Sequence, residues 1–110
     1  MFLEVVKILQ KHKGIENAIK RKEILMALNL VSIKITDREL RKIVERLVMS
    51  GYPIGTCEKG YYWIESYADL QEAVKSLRKK ALSILMRAKR LERSWHDFYQ
   101  LKLDLKGKGK

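Results

Sequence analysis

The chain is poor in the residues that build metal sites, disulfides and turns. Of its 110 residues one is cysteine (Cys57), two are histidine, one is proline and six are glycine. A single cysteine cannot form an internal disulfide, and one thiol with two imidazoles does not make a structural zinc site. We therefore expect no metal and no cofactor. So few prolines and glycines favour a folded, helix-rich chain.

A long apolar run and a basic leader are missing as well. The stretch MFLEVVKILQKHKG carries Glu4 among its apolar residues, a pattern that fits neither a signal peptide nor a membrane span. We expect a cytoplasmic protein with no membrane partner.

Residue groupings that perform catalysis are also missing. The sequence offers no cluster of carboxylates, no glycine-rich phosphate loop and no nucleophile beside a base at a workable spacing. His96 and Asp97 are neighbours on a predicted helix, so their side chains diverge. We expect neither enzymatic activity nor a small-molecule ligand.

Positive charge is in excess. Lys and Arg number 24 against 13 Asp and Glu, and the net charge is +11. Residues 1–66 carry 12 basic and 8 acidic side chains, whereas residues 67–110 carry 12 and 5. Such a field attracts polyanions, so nucleic acid is the first partner to consider.

Apolar residues recur at helical spacing in three segments of the first half. They are Phe2, Val5, Val6 and Leu9, then Ile24, Leu25 and Leu28, then Leu40, Ile43, Val44, Leu47 and Val48. Thr36 with Glu39 three residues later forms a capping box, which predicts that the third helix spans 37–49 and stops at Ser50-Gly51. Residues 15–19 are interpreted as a connector.

A β-hairpin and a long helix follow. Residues 53–65 contain two short apolar segments around Glu58-Lys59-Gly60, a pattern typical of a hairpin. Ser66 and Asp69 form a second capping box, and no Gly or Pro interrupts the helical pattern that follows. We predict a mainly α chain with a small hairpin: a winged helix-turn-helix domain at 1–65, a long coiled-coil-like helix at 66–101 and a flexible basic tail at 102–110.

Three helices followed by a hairpin is the order of a winged helix-turn-helix, in which the third helix enters the major groove and the hairpin flanks it. Arg side chains on such a helix can bond guanine edges, and backbone amides at its start can meet phosphate. The expected DNA contacts are Lys34, Thr36, Arg38, Arg41, Lys42, Glu45, Thr56 and Lys59. The alternative is that these charges only solvate a surface helix.

The segments Gly51-Tyr52-Pro53-Ile54 and Gly60-Tyr61-Tyr62-Trp63 carry a resemblance to a known family. About the first 65 residues resemble winged-helix domains of the biotin-repressor type, and small prophage and mobile-element proteins with a helical extension are similar. The resemblance implies that helix 3 is the recognition helix and that Thr56, Glu58 and Lys59 form the wing tip. The segment from Leu30 to Ile35 departs from the family, being longer and more apolar than its usual tight turn. The ligase domain of that family has no counterpart within these 110 residues, so the resemblance implies no enzymatic function.

The hairpin's aromatic residues and its cysteine have ordinary structural interpretations. Tyr61, Tyr62 and Trp63 are expected to pack in the core or across the strands, with base stacking as the alternative. Cys57 is expected to be a small apolar filler.

Apolar residues of the long helix form a heptad seam. It consists of Leu70, Val74, Leu77, Ala81, Ile84, Ala88, Leu91, Trp95 and Phe98. At 1.5 Å per residue the helix approaches about 50 Å, longer than a small domain is wide. We expect a homodimer through this seam. Folding back onto helix 1, or a larger bundle suggested by Leu82, Leu85 and Met86, are the alternatives.

These patterns together favour a double-stranded DNA-binding dimer, acting as a transcriptional regulator or as a replication-region factor of a mobile element. The basic residues outside the seam could add phosphate contacts. The alternative function is a protein-interaction adaptor that uses the winged domain and the long helix to assemble a complex.

Overall fold

The computed structural model describes the backbone of residues 1–108 and the side chains of residues 1–100. The elements are α1 (Phe2–Gln10), a 3₁₀ turn (Ile15–Asn17), α2 (Arg21–Leu30), α3 (Asp37–Met49), β1 (Ile54–Cys57), β2 (Gly60–Trp63) and α4 (Tyr67–Lys108). The predicted class is confirmed: the chain is mainly helical, with one small hairpin and a long C-terminal helix.

The chain divides into two units, one covering Met1–Ser76 and a second beginning at Leu77. The first, called the N-terminal unit below, contains the hairpin, three helices and the first turns of α4. The predicted boundary was at residue 65, where the hairpin ends. The difference arises because the start of α4 contacts the rest of this unit. Ala73 is buried, the Tyr62 hydroxyl donates to the Asp69 carbonyl at 3.5 Å, and the amide of Ile15 donates to the Asp69 carboxylate at 3.4 Å.

The core of the N-terminal unit is built from the apolar faces of α1, α2 and α3 together with the hairpin. Five aliphatic side chains in it are completely buried: Val5, Leu9, Ile24, Leu28 and Leu40. Burial of each such side chain stabilises the fold by about 1.5–3 kcal/mol. The face predicted for α3 is buried from Leu40 to Leu47, but Val48 is exposed, since it lies in the last turn where the helix leaves the core.

Helix α3 begins and ends where the sequence predicts. The amide of Glu39 donates to the Thr36 hydroxyl at 3.1 Å, and the amide of Thr36 donates to the Glu39 carboxylate at 3.4 Å. These two bonds complete the capping box and satisfy amides that the first helical turn leaves unpaired. At the other end Gly51 adopts a φ of +105°, a conformation that is strained for residues with a Cβ and favours glycine.

The connection between α2 and α3 is longer than a tight turn because it sends two side chains into the core. Ser32 adopts a left-handed φ of 64°. The amide of Ile33 donates to the Leu28 carbonyl at 2.9 Å, and that of Ser32 to the Asn29 carbonyl at 3.0 Å, as in a Schellman motif. Ile33 and Ile35 then pack against the core, and Lys34 between them is exposed.

The hairpin pairs with the connector that precedes α2. Strands β1 and β2 are antiparallel, with Thr56 opposite Tyr61 and Cys57 opposite Gly60. Ile19, in the segment interpreted as a connector, forms an antiparallel bridge with Tyr61 on the free edge of β2. This pairing ties the hairpin to the chain that enters α2.

Helix α4 extends further than predicted. Its backbone is helical to Lys108, whereas the prediction ended the helix near residue 101 and made 102–110 a flexible tail. Leu and Lys are good helix formers, and Gly107 is the first glycine after Gly60, so nothing local ends the helix earlier. The last two residues of the predicted tail, 109 and 110, lie outside the described residues.

Candidate nucleic-acid interface

The solvent side of α3 carries the residues expected to touch DNA. Arg38, Lys42 and Glu45 follow one another at helical spacing, and all three are exposed, opposite the buried Leu40 and Val44. This stripe of Arg38, Lys42 and Glu45 is called the outer face of α3. Among side chains 1–100, neither Arg38 nor Lys42 takes part in an ion pair. Both cations are therefore free to meet an anionic partner.

Arg41 is held differently, by an acidic residue of its own helix. Its Nε lies 3.4 Å from Asp37 Oδ2, and Nε of Arg21 lies 3.3 Å from Asp37 Oδ1. The three side chains are about half exposed, and exposed ion pairs contribute only about 0–1 kcal/mol. Arg41 thus has a partner, but one that a phosphate could replace at little cost.

A basic cavity of about 840 Å³ opens beside the start of α3. It is bounded by the start of α2, the connection before α3 and the hairpin turn. Three of the predicted contact residues, Lys34, Thr56 and Lys59, line it together. Its walls carry five cations (Lys20, Arg21, Lys22, Lys34 and Lys59) and two acids (Asp37 and Glu58). The fold thus gathers predicted residues separated by more than twenty positions.

Three of these cations were missed by the sequence analysis. Lys20, Arg21 and Lys22 are exposed and lie at the start of α2, where no described side chain caps the helix. The positive end of the helix dipole therefore adds to the charge of the side chains. The signal in the sequence was the run Lys-Arg-Lys itself, but only the pairing of Ile19 with Tyr61 shows that this run lies beside the hairpin.

The hairpin turn is short and polar. Glu58 and Lys59 form a two-residue turn between the paired Cys57 and Gly60, whereas Thr56 lies within β1. Of the three residues expected at the wing tip, Glu58 and Lys59 form the turn, and Thr56 is exposed on the strand that precedes it.

A second cavity, of about 480 Å³, lies against the same hairpin turn. Its walls carry three acids (Glu16, Glu58 and Glu72) and one cation, Lys59. We call it the acidic cavity. A polyanion would be attracted to the basic cavity and repelled from the acidic one, so charge alone favours the side of the hairpin that faces the basic cavity.

The hairpin's tyrosines serve packing. Tyr61 is buried in the core, and Tyr62 is completely buried, with its ring over Gly55 on the facing strand. Burial raises the pKa of both phenols, and nearby Arg21 partly offsets this for Tyr61. Trp63 is half buried, its ring edge-on to Tyr52 at 6.4 Å. Tyr61 and Tyr62 present no face to a nucleic-acid base; packing was the expected role.

The seam of α4 is exposed along most of its described length. Leu70 is partly exposed and Val74 half buried, but from Leu77 onward every seam residue to Phe98 is exposed. Leu77 retains 59% of its accessible surface and Leu91 69%. These side chains form a continuous apolar stripe that no residue among 1–100 covers.

No family model, no curated protein and no solved structure matches this chain. Among the described residues, no helix combines the length and the apolar character needed to cross a membrane.

Proposed function

We propose that this protein binds double-stranded DNA as a homodimer, with α3 in the major groove and the hairpin turn against the flanking backbone. In this proposal residues 1–65 act as a winged helix of the biotin-repressor type. The observation that carries it is the gathering of cations: five basic side chains from α2, the connection and the hairpin wall one cavity, and the first residue of α3, Asp37, borders that cavity.

The arrangement of the positive charges fits a long, regular polyanion as the ligand better than a small anion. The cations are spread over the start of α2, the connection and the hairpin turn, and α3 carries two more exposed ones, Arg38 and Lys42. Each is exposed, so each can neutralise a phosphate without paying for burial of its charge. A single small anion would engage only a few of them.

Pairing of two chains completes the proposal. A lone helix with an exposed apolar stripe is stabilised by packing against another helix of the same kind. A two-fold dimer would present two copies of α3, so the DNA target would contain two half-sites related by symmetry.

The test is selection of bound sequences from a random pool of duplexes at a fixed salt concentration. A motif of two half-sites would support a dimeric sequence-specific binder and favour a transcriptional regulator. A motif with one half-site would contradict the dimer. Retention of all duplexes alike would contradict sequence recognition, and no retention would contradict DNA binding altogether.

A protein-interaction adaptor is the second candidate function. It is favoured by an apolar patch at the end of α2, where Met26, Leu30 and Val31 are exposed, Leu30 at 87%. Exposed apolar groups in contiguous patches often mark protein contacts. An adaptor would be recognised in the same selection by the absence of duplex binding.

A further inference from the structure

The order of residue sizes along the exposed seam differs between its two halves. The first half contains Val74, Leu77 and Ala81 and no aromatic residue, and the two largest seam residues, Trp95 and Phe98, lie near the end. In a pair of helices each seam residue faces a seam residue of the partner, so this gradient favours one orientation over the other.

A parallel pair would place identical residues opposite each other. Ala81 would face Ala81 and Ala88 would face Ala88, leaving space between the helices at two levels. Trp95 would face Trp95, forcing the same helices apart. Cavities and overpacking both destabilise a packed interface. A parallel pair would have cavities at the two alanine levels and overpacking at the Trp95 level of the same interface.

An antiparallel pair centred at the level of Met86 evens out these sizes. In that register Val74 faces Phe98 of the partner subunit, and Leu77 faces the partner's Trp95. At the next two levels Ala81 faces the partner's Leu91, and Ile84 faces the partner's Ala88. Every described seam residue from 74 to 98 then finds a partner, and each small residue meets a larger one.

Charge favours the same arrangement. Residues 75–80 carry four basic and no acidic side chains, a net charge of +4, while residues 92–97 carry Glu92, Arg93 and Asp97, a net charge of −1. A parallel pair opposes the +4 segment to its own copy. The antiparallel register opposes it to the −1 segment, and it brings Arg78, beside the seam, close to the partner's Glu92.

Leu85 follows Ile84 directly and flanks the seam near its middle, at the level where the two-fold axis would pass. It is exposed in the single chain. Contacts near a two-fold axis are made by the same residues from both copies, so the two copies of Leu85 would lie close together. Leu82 and Met86 lie on the side of the helix away from the seam, and the pair would leave them uncovered.

We propose that two copies of α4 pair antiparallel, with the two-fold axis at the level of Met86 and Ala81 facing the partner's Leu91. This rests on the proposed homodimer and specifies its orientation and register.

The test is disulfide trapping in a Cys57→Ser background, which removes the native thiol. Two singly substituted chains of different tag length, Ala81→Cys and Leu91→Cys, are oxidised separately and after mixing. We expect a disulfide only in the mixture, since a disulfide needs Cα atoms within about 7 Å. Two copies of residue 81 in the antiparallel register lie about 15 Å apart along the axis. A disulfide formed by Ala81→Cys alone, or none in the mixture, would overturn the register.

A spin label at Ser94→Cys provides a measurement that leaves the seam intact. Ser94 is exposed and outside the seam, in the same background without Cys57. We expect the two labels to be offset by about 24 Å along the axis, against no offset in a parallel pair. Light scattering distinguishes the two ways in which the proposal can fail. A monomer would overturn both the dimer and its orientation, whereas a dimer whose two spin labels show no offset along the axis would overturn the orientation alone.

Discussion

Ile19 and Tyr61 exchange two backbone hydrogen bonds: the amide of Ile19 donates to the Tyr61 carbonyl at 2.8 Å, and the amide of Tyr61 donates to the Ile19 carbonyl at 2.9 Å. The pair joins the segment that enters α2 to the second hairpin strand. Because Lys20, Arg21 and Lys22 follow Ile19 directly, these bonds set their position beside the hairpin turn. The basic cavity depends on this contact.

Gly60 makes that approach possible. It has a φ of +135°, and a Cβ there would collide with the Ile19 carbonyl. We expect Gly60→Ala to lower the free energy of unfolding by about 2–4 kcal/mol, combining backbone strain with a backbone clash. Gly51→Ala is the matched control: its φ is also positive, +105°, but no atom lies within 4 Å of the added Cβ. Urea denaturation should rank Gly60→Ala as the more damaging; equal losses would show that the close approach does not matter.

The lowered pKa of Asp69 predicts how the stability of the N-terminal unit changes at acidic pH. Desolvation raises the pKa of its carboxyl, but hydrogen bonds from the amides of Ser66, Ile15 and Glu65 outweigh it, and the pKa is lowered. The charged Asp69 carboxylate therefore stabilises the folded state. This stabilisation is complete above the ordinary aspartate pKa of about 3.9, and it is lost as the pH falls through the lower pKa of the folded state. Asp69→Asn should therefore be less stable than the native chain at pH 7.

The difference between these two chains should shrink below about pH 4, where the Asp69 carboxyl of the unfolded chain takes up a proton while that of the folded chain remains charged. Thermal unfolding of both, followed by circular dichroism from pH 7 to pH 3, measures it. Because both chains share every other titrating group, including Glu4, their difference isolates Asp69. A difference that stayed constant down to pH 3 would contradict this role.

Asp37 is paired with two arginines, Arg21 and Arg41, that DNA would contact in the proposed complex. Asp37→Asn removes a negative charge from the basic cavity and releases Arg21 and Arg41, so we expect duplex affinity to rise roughly three- to tenfold. The cost is the favourable effect of an acid in the first turn of α3, about 0.3–1 kcal/mol of stability. Glu16→Gln, which removes one charge from the acidic cavity, is the control and should change affinity less. Equal effects in fluorescence anisotropy would place the DNA elsewhere.

Charges placed in the seam should break the dimer. Leu77→Lys with Ile84→Lys puts two desolvated ammonium groups into each chain's interface, so we expect a monomer in multi-angle light scattering. Ser83→Lys adds a lysine beside Ile84 but outside the seam, and it should leave the dimer intact. A native chain that is already monomeric, or a doubly substituted chain that still dimerises, would contradict the seam's role.

Local patterns in the sequence were enough to place α3 and the hairpin. The capping box of Thr36 and Glu39 and the stop at Gly51 depend on residues a few positions apart, and both bounds of α3 are as predicted. The exposure of Arg38 and Lys42 followed from the same helical spacing.

Contacts between distant residues could not be predicted in this way. The bridge between Ile19 and Tyr61 joins residues more than forty positions apart, and no local pattern marks it. The sequence therefore gave no reason to assign the run Lys20-Arg21-Lys22 to the candidate interface. Likewise Ser32 in a left-handed conformation is unexpected for a serine, because that position usually favours glycine.

The most direct test of DNA recognition by the outer face of α3 is a fluorescence anisotropy titration of a selected duplex over a range of salt. The native chain is compared with Arg38→Ala/Lys42→Ala and with Lys7→Ala/Lys11→Ala, which loses the same charge from exposed positions at the end of α1. We predict that the α3 variant binds at least about tenfold more weakly, with a salt dependence up to about two units shallower, while the α1 variant stays close to the native chain. Equal losses in the two variants, or none in either, would contradict the proposal.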